Sequence, residues 1–228
     1  MLFRSLMCPY HGWHYDASGR CVHMPAHPEQ TPPAKARTDV YHVTTRYELV
    51  WVCIGDPQRD VPPFPEWDAP HSARAVCGPF PNINAHGPRL IENYLDAAHF
   101  PFVHEGVSGD PRQPMLGDSD VRITDDGVES DPIEVYQPNP FGGGSGVVTY
   151  TYHAYRAYTA HFTKHVGAVT NGMVMTLTPH DDGVCTVWFI VATNSSQDSA
   201  ALEVSYTPRI AAIRSEEHTS ELQSPMYL

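Results

Sequence analysis

Alternating apolar and polar residues, or runs of β-branched and aromatic residues, recur through the second half of the chain. Such segments are typical of half-buried strands in antiparallel sheets. The strands predicted in this way are 121–124, 128–135, 147–156, 157–166, 172–178 and 184–193. Nearer the N-terminus, 40–43 and 47–54 predict a strand pair that a Gly-Asp-Pro turn at 55–57 closes.

Helical spacing of apolar residues is found in a smaller part of the chain. The segment 88–99 carries an apolar face formed by Leu90, Ile91, Tyr94 and Leu95, and Pro88 suits a first helical turn. A second helix is predicted over 199–213, interrupted by Pro208. Strands in series with a few helices predict an α+β fold.

Composition excludes several classes of partner. The net charge is −12 with scattered basic residues, which argues against nucleic acid and anionic membranes. No apolar run has transmembrane length and no signal-peptide pattern is present, so a cytoplasmic protein is expected. The five cysteines are an odd number, which argues against a secreted disulfide scaffold. Prolines are concentrated in 57–72, which predicts a linker.

The first candidate for chemistry is the segment 92–104, which contains Asp96, His99 and His104. Asp96 and His99 are three apart and therefore neighbours on a helix. On an ideal helix His104 would point about 140° away from His99. Pro101 disfavours helix at Phe100, and a bend there would direct both imidazoles at one metal ion. With 14 histidines in the chain, a pair of hydrogen-bonded structural histidines is the alternative interpretation.

The second candidate is the loop that contains Cys8 and His11. A thiolate and an imidazole separated by two residues can bind one metal, and Pro9 and Gly12 suit the tight turn between them. Together with Cys21 and His23, the same two residues form an alternative set of four ligands for a structural zinc ion.

Both candidates resemble motifs of one family. Residues 8–13, Cys-Pro-Tyr-His-Gly-Trp, with the turn at 16–19, resemble the second ligand loop of a Rieske iron–sulfur domain. Residues 92–104 resemble the mononuclear-iron motif of Rieske non-haem iron oxygenases. Phe-Pro-Glu-Trp at 64–67 and the run 98–104 are similar to the ring-hydroxylating, vanillate O-demethylase-like branch. The motifs stand in the family's order, and the resemblance extends from about Leu6 to about Ile213.

The resemblance implies a partial Rieske all-β domain at 1–56, the linker at 57–72, and a helix-grip (START-like) antiparallel-sheet catalytic domain at 73–213. It assigns Cys8 and His11 to a Rieske 2Fe-2S cluster, and His99 and His104 to a mononuclear Fe(II). Asp96 is expected to hydrogen-bond a metal-bound histidine and to connect it with the cluster of a neighbouring subunit.

The implied function is that of an oxygenase component. Such a component performs O2-dependent hydroxylation or O-demethylation of an aromatic compound, with electrons from a separate reductase or ferredoxin, and forms a homotrimer. In this sequence the family's upstream Cys-x-His pair is missing, and the third iron ligand is not assigned to Asp181, Asp182 or Asp198. The segment 214–228 resembles a translated sequencing adapter. The chain is therefore expected to be an inactive fragment of an active enzyme.

A third class, a carrier of small ligands without catalysis, stays open on sequence grounds. Antiparallel strands packed on a long helix can enclose an apolar cavity. Its candidate lining residues are Tyr150, Tyr152, Tyr155, Tyr158, Phe162, Met173, Met175 and Trp188. Fe(II) binding that depends on His99 and His104 separates an oxygenase from a carrier.

Overall fold

The computed structural model describes residues 5–140, 144–155, 158–180, 183–195 and 198–220. Contacts along the chain divide it into two compact units, Met1–Val61 and Pro62–Leu228. None of the helices in the described residues is long and apolar enough to cross a membrane.

The first unit consists of short antiparallel strands. Three of them form one small sheet in the order β1-β2-β3, and two more form a hairpin at the position expected for a strand pair. The strands are β1 Leu6–Met7, β2 His14–Tyr15, β3 Cys21–His23, β4 His42–Arg46 and β5 Leu49–Cys53. The loop between β1 and β2 carries Cys8 and His11.

The second unit is built on an antiparallel sheet that has eight strands within the described residues. The strands are β6 Ala73–Ile83, β7 Val121–Ile123, β8 Gly127–Ser130, β9 Ile133–Gln137, β10 Gly146–Tyr155, β11 Thr159–Val166, β12 Val169–Pro179 and β13 Cys185–Thr193. Their order is β6-β13-β12-β11-β10-β8-β7, and β9 pairs with another part of β10. The helices are α1 Pro65–Asp68, α2 Gly87–Leu95, α3 Phe100–Val103 and α4 Ser199–Ser220.

The two faces of this sheet are covered by different helices. On β11, Phe162 stacks on Tyr94 of α2, with ring centroids 5.6 Å apart. The preceding residue, His161, is hydrogen-bonded to Glu66 of α1. Because successive residues of a strand point to opposite faces, α1 and α2 lie on opposite sides of the sheet. The face under α2 carries the candidate iron site.

Strand β6 is one of the elements that the sequence pattern missed. It contains Gly78, Pro79 and Pro81, which argue against a strand in most positions. In the structure β6 is the edge strand and pairs only with β13 among the described residues, with register shifts in that pairing. An edge strand tolerates proline because one side of its backbone needs no ladder hydrogen bonds.

Two segment assignments differ in detail from the sequence expectation. The segment 57–72, expected as a linker, contains α1, and its Phe64 is fully buried. Helix α4 includes Pro208 without ending there and extends past residue 213 to Ser220. The adapter origin of 214–228 stays a prediction, and residues 221–228 lie outside the described part of the chain.

Candidate iron site

The chain bends sharply between α2 and α3. Helix α2 ends at Leu95, and Asp96 is extended, with φ −77° and ψ 116°. The Asp96 Oδ1 accepts the backbone N–H of Ala98 at 2.7 Å, which stabilises the turn. The sequence argument put the break at Phe100, and that position was wrong. Pro101 instead lies in the first turn of α3, where its missing N–H has no cost.

This bend brings His99 and His104 together at the two ends of α3. Their ring centroids are 4.9 Å apart and their planes meet at 76°. Both residues are buried, at 6% and 3% exposure. The lone pair of an imidazole nitrogen lies in the plane of its ring. Two ring planes that intersect therefore allow a nitrogen of each ring to coordinate the same ion.

Asp96 fixes the orientation of the first ring. Its Oδ2 lies 3.2 Å from Nδ1 of His99. This hydrogen bond, against a smaller effect of burial, lowers the pKa of Asp96, so the carboxylate is charged and accepts. Nδ1 of His99 therefore carries the proton and donates it, and Nε2 holds the lone pair. A carboxylate that orients a histidine in this way is typical of metal sites.

Both imidazoles line a cavity of about 180 Å³ in the second unit. Its wall is mostly apolar and aromatic, and it includes Tyr94, Phe100, Val187 and Phe189. Four of the residues proposed from sequence to line a ligand cavity are in this wall, and the other four are not. Those present are Tyr150, Phe162, Met173 and Met175. Those absent from the wall are Tyr152, Tyr155, Tyr158 and Trp188.

The polar part of the wall was missed by sequence reasoning. Gln137 is buried and donates from its amide to the carbonyl oxygen of Ser108 and to the hydroxyl of Tyr150, at 3.2 and 3.0 Å. Lys164 donates to the Gln137 Oε1 at 2.6 Å. A signal was available for Lys164, because it follows Phe162 by two residues and shares its face of β11.

The donor set fits two of the three protein ligands of a two-histidine, one-carboxylate iron site. Among the residues that the structure describes, no group of three or more His, Cys, Asp or Glu side chains is arranged to bind one metal ion. Asp198 caps α4 by accepting the N–H of Ala201 at 2.7 Å, as the sequence indicated. Asp181 and Asp182 lie outside the described residues.

The loop of Cys8 and His11 contains one thiol and one imidazole, which is half of the two thiolates and two imidazoles that a Rieske cluster needs. The backbone N–H of Cys8 donates to Trp13 at 2.8 Å, and that of Gly12 donates to Cys8 at 2.9 Å. The alternative zinc site is not formed. Cys8, His11, Cys21 and His23 are all described, and they do not gather as a metal-binding group.

Comparison with known proteins adds independent evidence. The family model of the vanillate O-demethylase oxygenase C-terminal domain matches residues 83–219, which is more than half of the chain. The chain belongs to this family. The Rieske [2Fe-2S] domain model matches residues 3–45. These matches confirm the resemblance to Rieske oxygenases, and they imply a Rieske 2Fe-2S cluster and a mononuclear iron as cofactors.

Two of the similar proteins are bacterial demethylases. The methylxanthine N1-demethylase NdmA of Pseudomonas putida is 28% identical over 91% of this chain and 60% of its own length. The oxygenase component of dicamba O-demethylase from Stenotrophomonas maltophilia is 28% identical over 51% of this chain and 37% of its own. The chain thus spans at most about 60% of these two relatives.

Solved structures confirm the fold. The NdmA QL mutant of Pseudomonas putida with theobromine superimposes with a TM-score of 0.76 at 23% identity. This match covers 99% of this chain and 66% of that structure. The α+β fold, a Rieske-like β part followed by a large antiparallel sheet, is therefore confirmed.

Proposed function

We propose that this chain belongs to the oxygenase component of a Rieske-type system that hydroxylates or O-demethylates an aromatic compound with O2. The observation that carries the proposal is the pair of buried imidazoles, His99 and His104, which meet at 76° on the wall of an aromatic cavity. Membership of the vanillate O-demethylase oxygenase family supports it. The names of the relatives, an N-demethylase and an O-demethylase, favour demethylation.

His99 and His104 would hold the mononuclear iron, and Asp96 would keep His99 in the tautomer that presents Nε2. An iron(II) site with two histidines and one carboxylate supplies open positions for dioxygen beside the substrate. Other side chains of this chain hold the His99 ring in position and exclude water. Phe100 packs edge-on against His99, with centroids 5.0 Å apart, and holds the ring in place. The apolar wall excludes water from the reacting group.

The size of the cavity suits one aromatic ring. A cavity of about 150 Å³ lined by apolar side chains binds benzene in another protein, and this cavity measures about 180 Å³. Tyr94, whose hydroxyl donates to the carbonyl oxygen of Met173 at 2.7 Å, forms a rigid part of the wall. The proposed substrate is therefore an aromatic compound of about this size.

Electrons would come from a separate reductase or ferredoxin through a Rieske cluster that includes Cys8 and His11 as ligands. Asp96 is suited to the connection with a neighbouring subunit, because its side chain is 44% exposed while it contacts the buried His99. A homotrimer would provide that neighbour. The trimer and the cytoplasmic location stay predictions from the sequence.

The test is a titration of the chain with Fe(II) under anaerobic conditions, in which binding is measured by calorimetry. Wild type should show one site that His99→Ala or His104→Ala removes. His165→Ala, which changes an exposed histidine, is the matched control and should keep the site. A titration that is the same for all four proteins would contradict the proposal and favour the carrier.

Asp96→Asn separates positioning of the ring from electron transfer. The single amide oxygen can accept the hydrogen bond from His99 if it gives up the one from Ala98. Much of the iron should therefore stay bound, with affinity weaker by about tenfold. In the complete oxygenase with its reductase, the same variant should lose oxygen uptake. Normal uptake would refute the bridging role of Asp96 and leave the iron site untouched.

A further inference from the structure

Gln137 is a buried side chain to which the proposed reaction gives no role. It is the last residue of β9, it lies in the wall of the cavity, and it is only 1% exposed. Its side-chain amide is hydrogen-bonded to three separate parts of the second unit, which are the turn after α3, strand β10 and strand β11. A buried amide with all of these partners holds the segments that it connects in a fixed arrangement.

Lys164 determines which way this amide points. An ammonium group has hydrogens to donate and no lone pair, so it faces the amide oxygen Oε1, at 2.6 Å. The amide nitrogen Nε2 is thereby turned to the other side. Its hydrogens are donated to the carbonyl oxygen of Ser108 at 3.2 Å and to the hydroxyl oxygen of Tyr150 at 3.0 Å. The orientation of the Gln137 amide therefore follows from the chemistry of its neighbours.

The hydrogen bond to Ser108 connects the sheet with His104. The backbone N–H groups of Val107 and Ser108 both donate to the carbonyl oxygen of His104, at 3.1 and 3.0 Å. These bonds close a tight turn whose first residue is the candidate iron ligand and whose last residue is bonded to Gln137. A displacement of the turn, and of His104 with it, would therefore break a hydrogen bond of a buried amide.

The hydrogen bond to Tyr150 connects the same amide with the other end of α3. The Tyr150 ring packs edge-on against Phe100, with ring centroids 5.9 Å apart. Phe100 in turn packs edge-on against His99, at 5.0 Å. One side chain of the sheet thus supports both ends of the short helix that sets the angle between the two imidazoles.

We infer that Gln137 is a positioning residue for the iron site, which holds the turn after α3 against the sheet and so keeps His104 at its angle to His99. The inference rests on the proposed function, because it concerns the same two ligands. A hydrogen-bonded support of a metal ligand typically contributes about 10- to 100-fold to metal affinity. The hydrogen bonds of Gln137 are present without a metal, so the support of the turn is measured separately from metal binding.

Two substitutions of Gln137 test this support in the full chain. Gln137→Met is similar in size and has no hydrogen to donate. Gln137→Glu keeps both the size and the acceptor for Lys164, whose ammonium favours the charged carboxylate, but it cannot donate to Ser108. Ser130→Ala is the control, because it removes a different buried hydrogen bond of the same sheet, the one that the backbone N–H of Tyr152 donates.

The first measurement is hydrogen exchange of the backbone amides without metal. The amide of Ser108 should exchange about tenfold faster in both Gln137 variants, as for one lost hydrogen bond, and should be unchanged in Ser130→Ala. The second measurement is metal binding. Fe(II) affinity should fall by about tenfold in both Gln137 variants. The visible absorption bands of bound Co(II), which depend on ligand geometry, should shift in these variants and stay as in wild type in Ser130→Ala.

The outcomes separate the inference from the proposed function. Unchanged exchange of Ser108 in either Gln137 variant would overturn the inference. Faster exchange with unchanged Fe(II) affinity and Co(II) bands would also overturn it, because the role of Gln137 is then structural only. If Gln137→Met does not fold, Gln137→Glu decides by the same criteria. A wild type without an Fe(II) site dependent on His99 and His104 contradicts the proposed function, and the exchange of Ser108 still decides whether Gln137 holds the turn.

Discussion

Two pairs of neighbouring histidines in the second unit have almost the same composition, because a carboxylate lies next to one histidine of each pair. His99 and His104 have ring centroids 4.9 Å apart, and Asp96 lies 3.2 Å from His99. On the other face of the sheet, His153 and His161 have centroids 5.3 Å apart. There Glu66 lies 3.1 Å from His161. Proximity of two imidazoles and a carboxylate therefore does not by itself define a metal site.

The orientation of the rings distinguishes the two pairs. His99 and His104 meet at 76°, whereas His153 and His161 are stacked at 16°. In stacked rings the lone pairs lie in nearly parallel planes and do not converge on one ion. The first pair also lines a cavity with room for a substrate, and the second pair is not part of that cavity's wall.

Local backbone structure explains the difference. His153 and His161 are directly opposite on β10 and β11, and opposite side chains on antiparallel strands lie side by side. His99 and His104 are separated by the short helix α3, which turns one ring relative to the other. The comparison makes predictions about both pairs.

The largest expected effect is that of Gly109→Ala on the first pair. A Cβ at residue 109 would lie 2.5 Å from the backbone of Pro101, which is in α3. Because the clash is with backbone and not with a flexible side chain, we expect α3 to shift and the two imidazoles to move apart. Fe(II) affinity, measured by titration, should fall by at least about tenfold, as for loss of a ligand's support. Gly146→Ala is the control, because nothing lies within 4 Å of its added Cβ. Unchanged affinity in Gly109→Ala would refute the positioning argument.

A smaller effect, on stability instead of metal binding, is expected at the second pair. Glu66 is bonded to His161 and Thr163 and its side chain is only 10% exposed. Glu66→Ala should lower the free energy of unfolding by about 2 kcal/mol, as for lost hydrogen bonds to a buried charged group. Urea denaturation measures this loss, with the exposed Glu203→Ala as control. Fe(II) affinity should not change, and a large decrease would show that the two faces are coupled.

The smallest effect is a dependence of stability on pH at His153. Burial, and then the neighbouring His161, lower the pKa of His153 from its ordinary 6.5. As the pH falls, His153 is therefore protonated in the unfolded chain before it is protonated in the folded chain. The contribution to stability is full above pH 6.5 and is lost as the pH falls through the folded-state pKa.

Around this ring lie His161, Glu66, Glu129 and Arg122, whose charges act on it in both directions. His153→Gln keeps these neighbours and removes the titrating group. The loss of unfolding free energy between pH 7 and pH 5 should be smaller in this variant than in wild type. Exposed His165→Gln should behave as wild type, and equal slopes in all three proteins would exclude a contribution from His153.

The sequence predicted the candidate site better than its surroundings. The spacing of Asp96, His99 and His104 was sufficient to propose that the two histidines share an ion, provided that the chain bends near them. The prediction from Pro101 put the bend at the wrong residue, because a proline marks the start of a helix as readily as a break. Glu66 was hidden in a proline-rich segment, and only tertiary packing shows that this segment covers the sheet. Such long-range contacts leave no local pattern.

The most direct test of the central claim counts imidazole ligands. The claim is that His99 and His104 bind the same ion. X-ray absorption of the chain loaded with one equivalent of Fe(II) should show two imidazoles at about 2.1 Å, a typical metal–nitrogen distance. Each of His99→Ala and His104→Ala should reduce the count to one or leave the chain without bound iron. A count that stays at two in either variant would contradict the account.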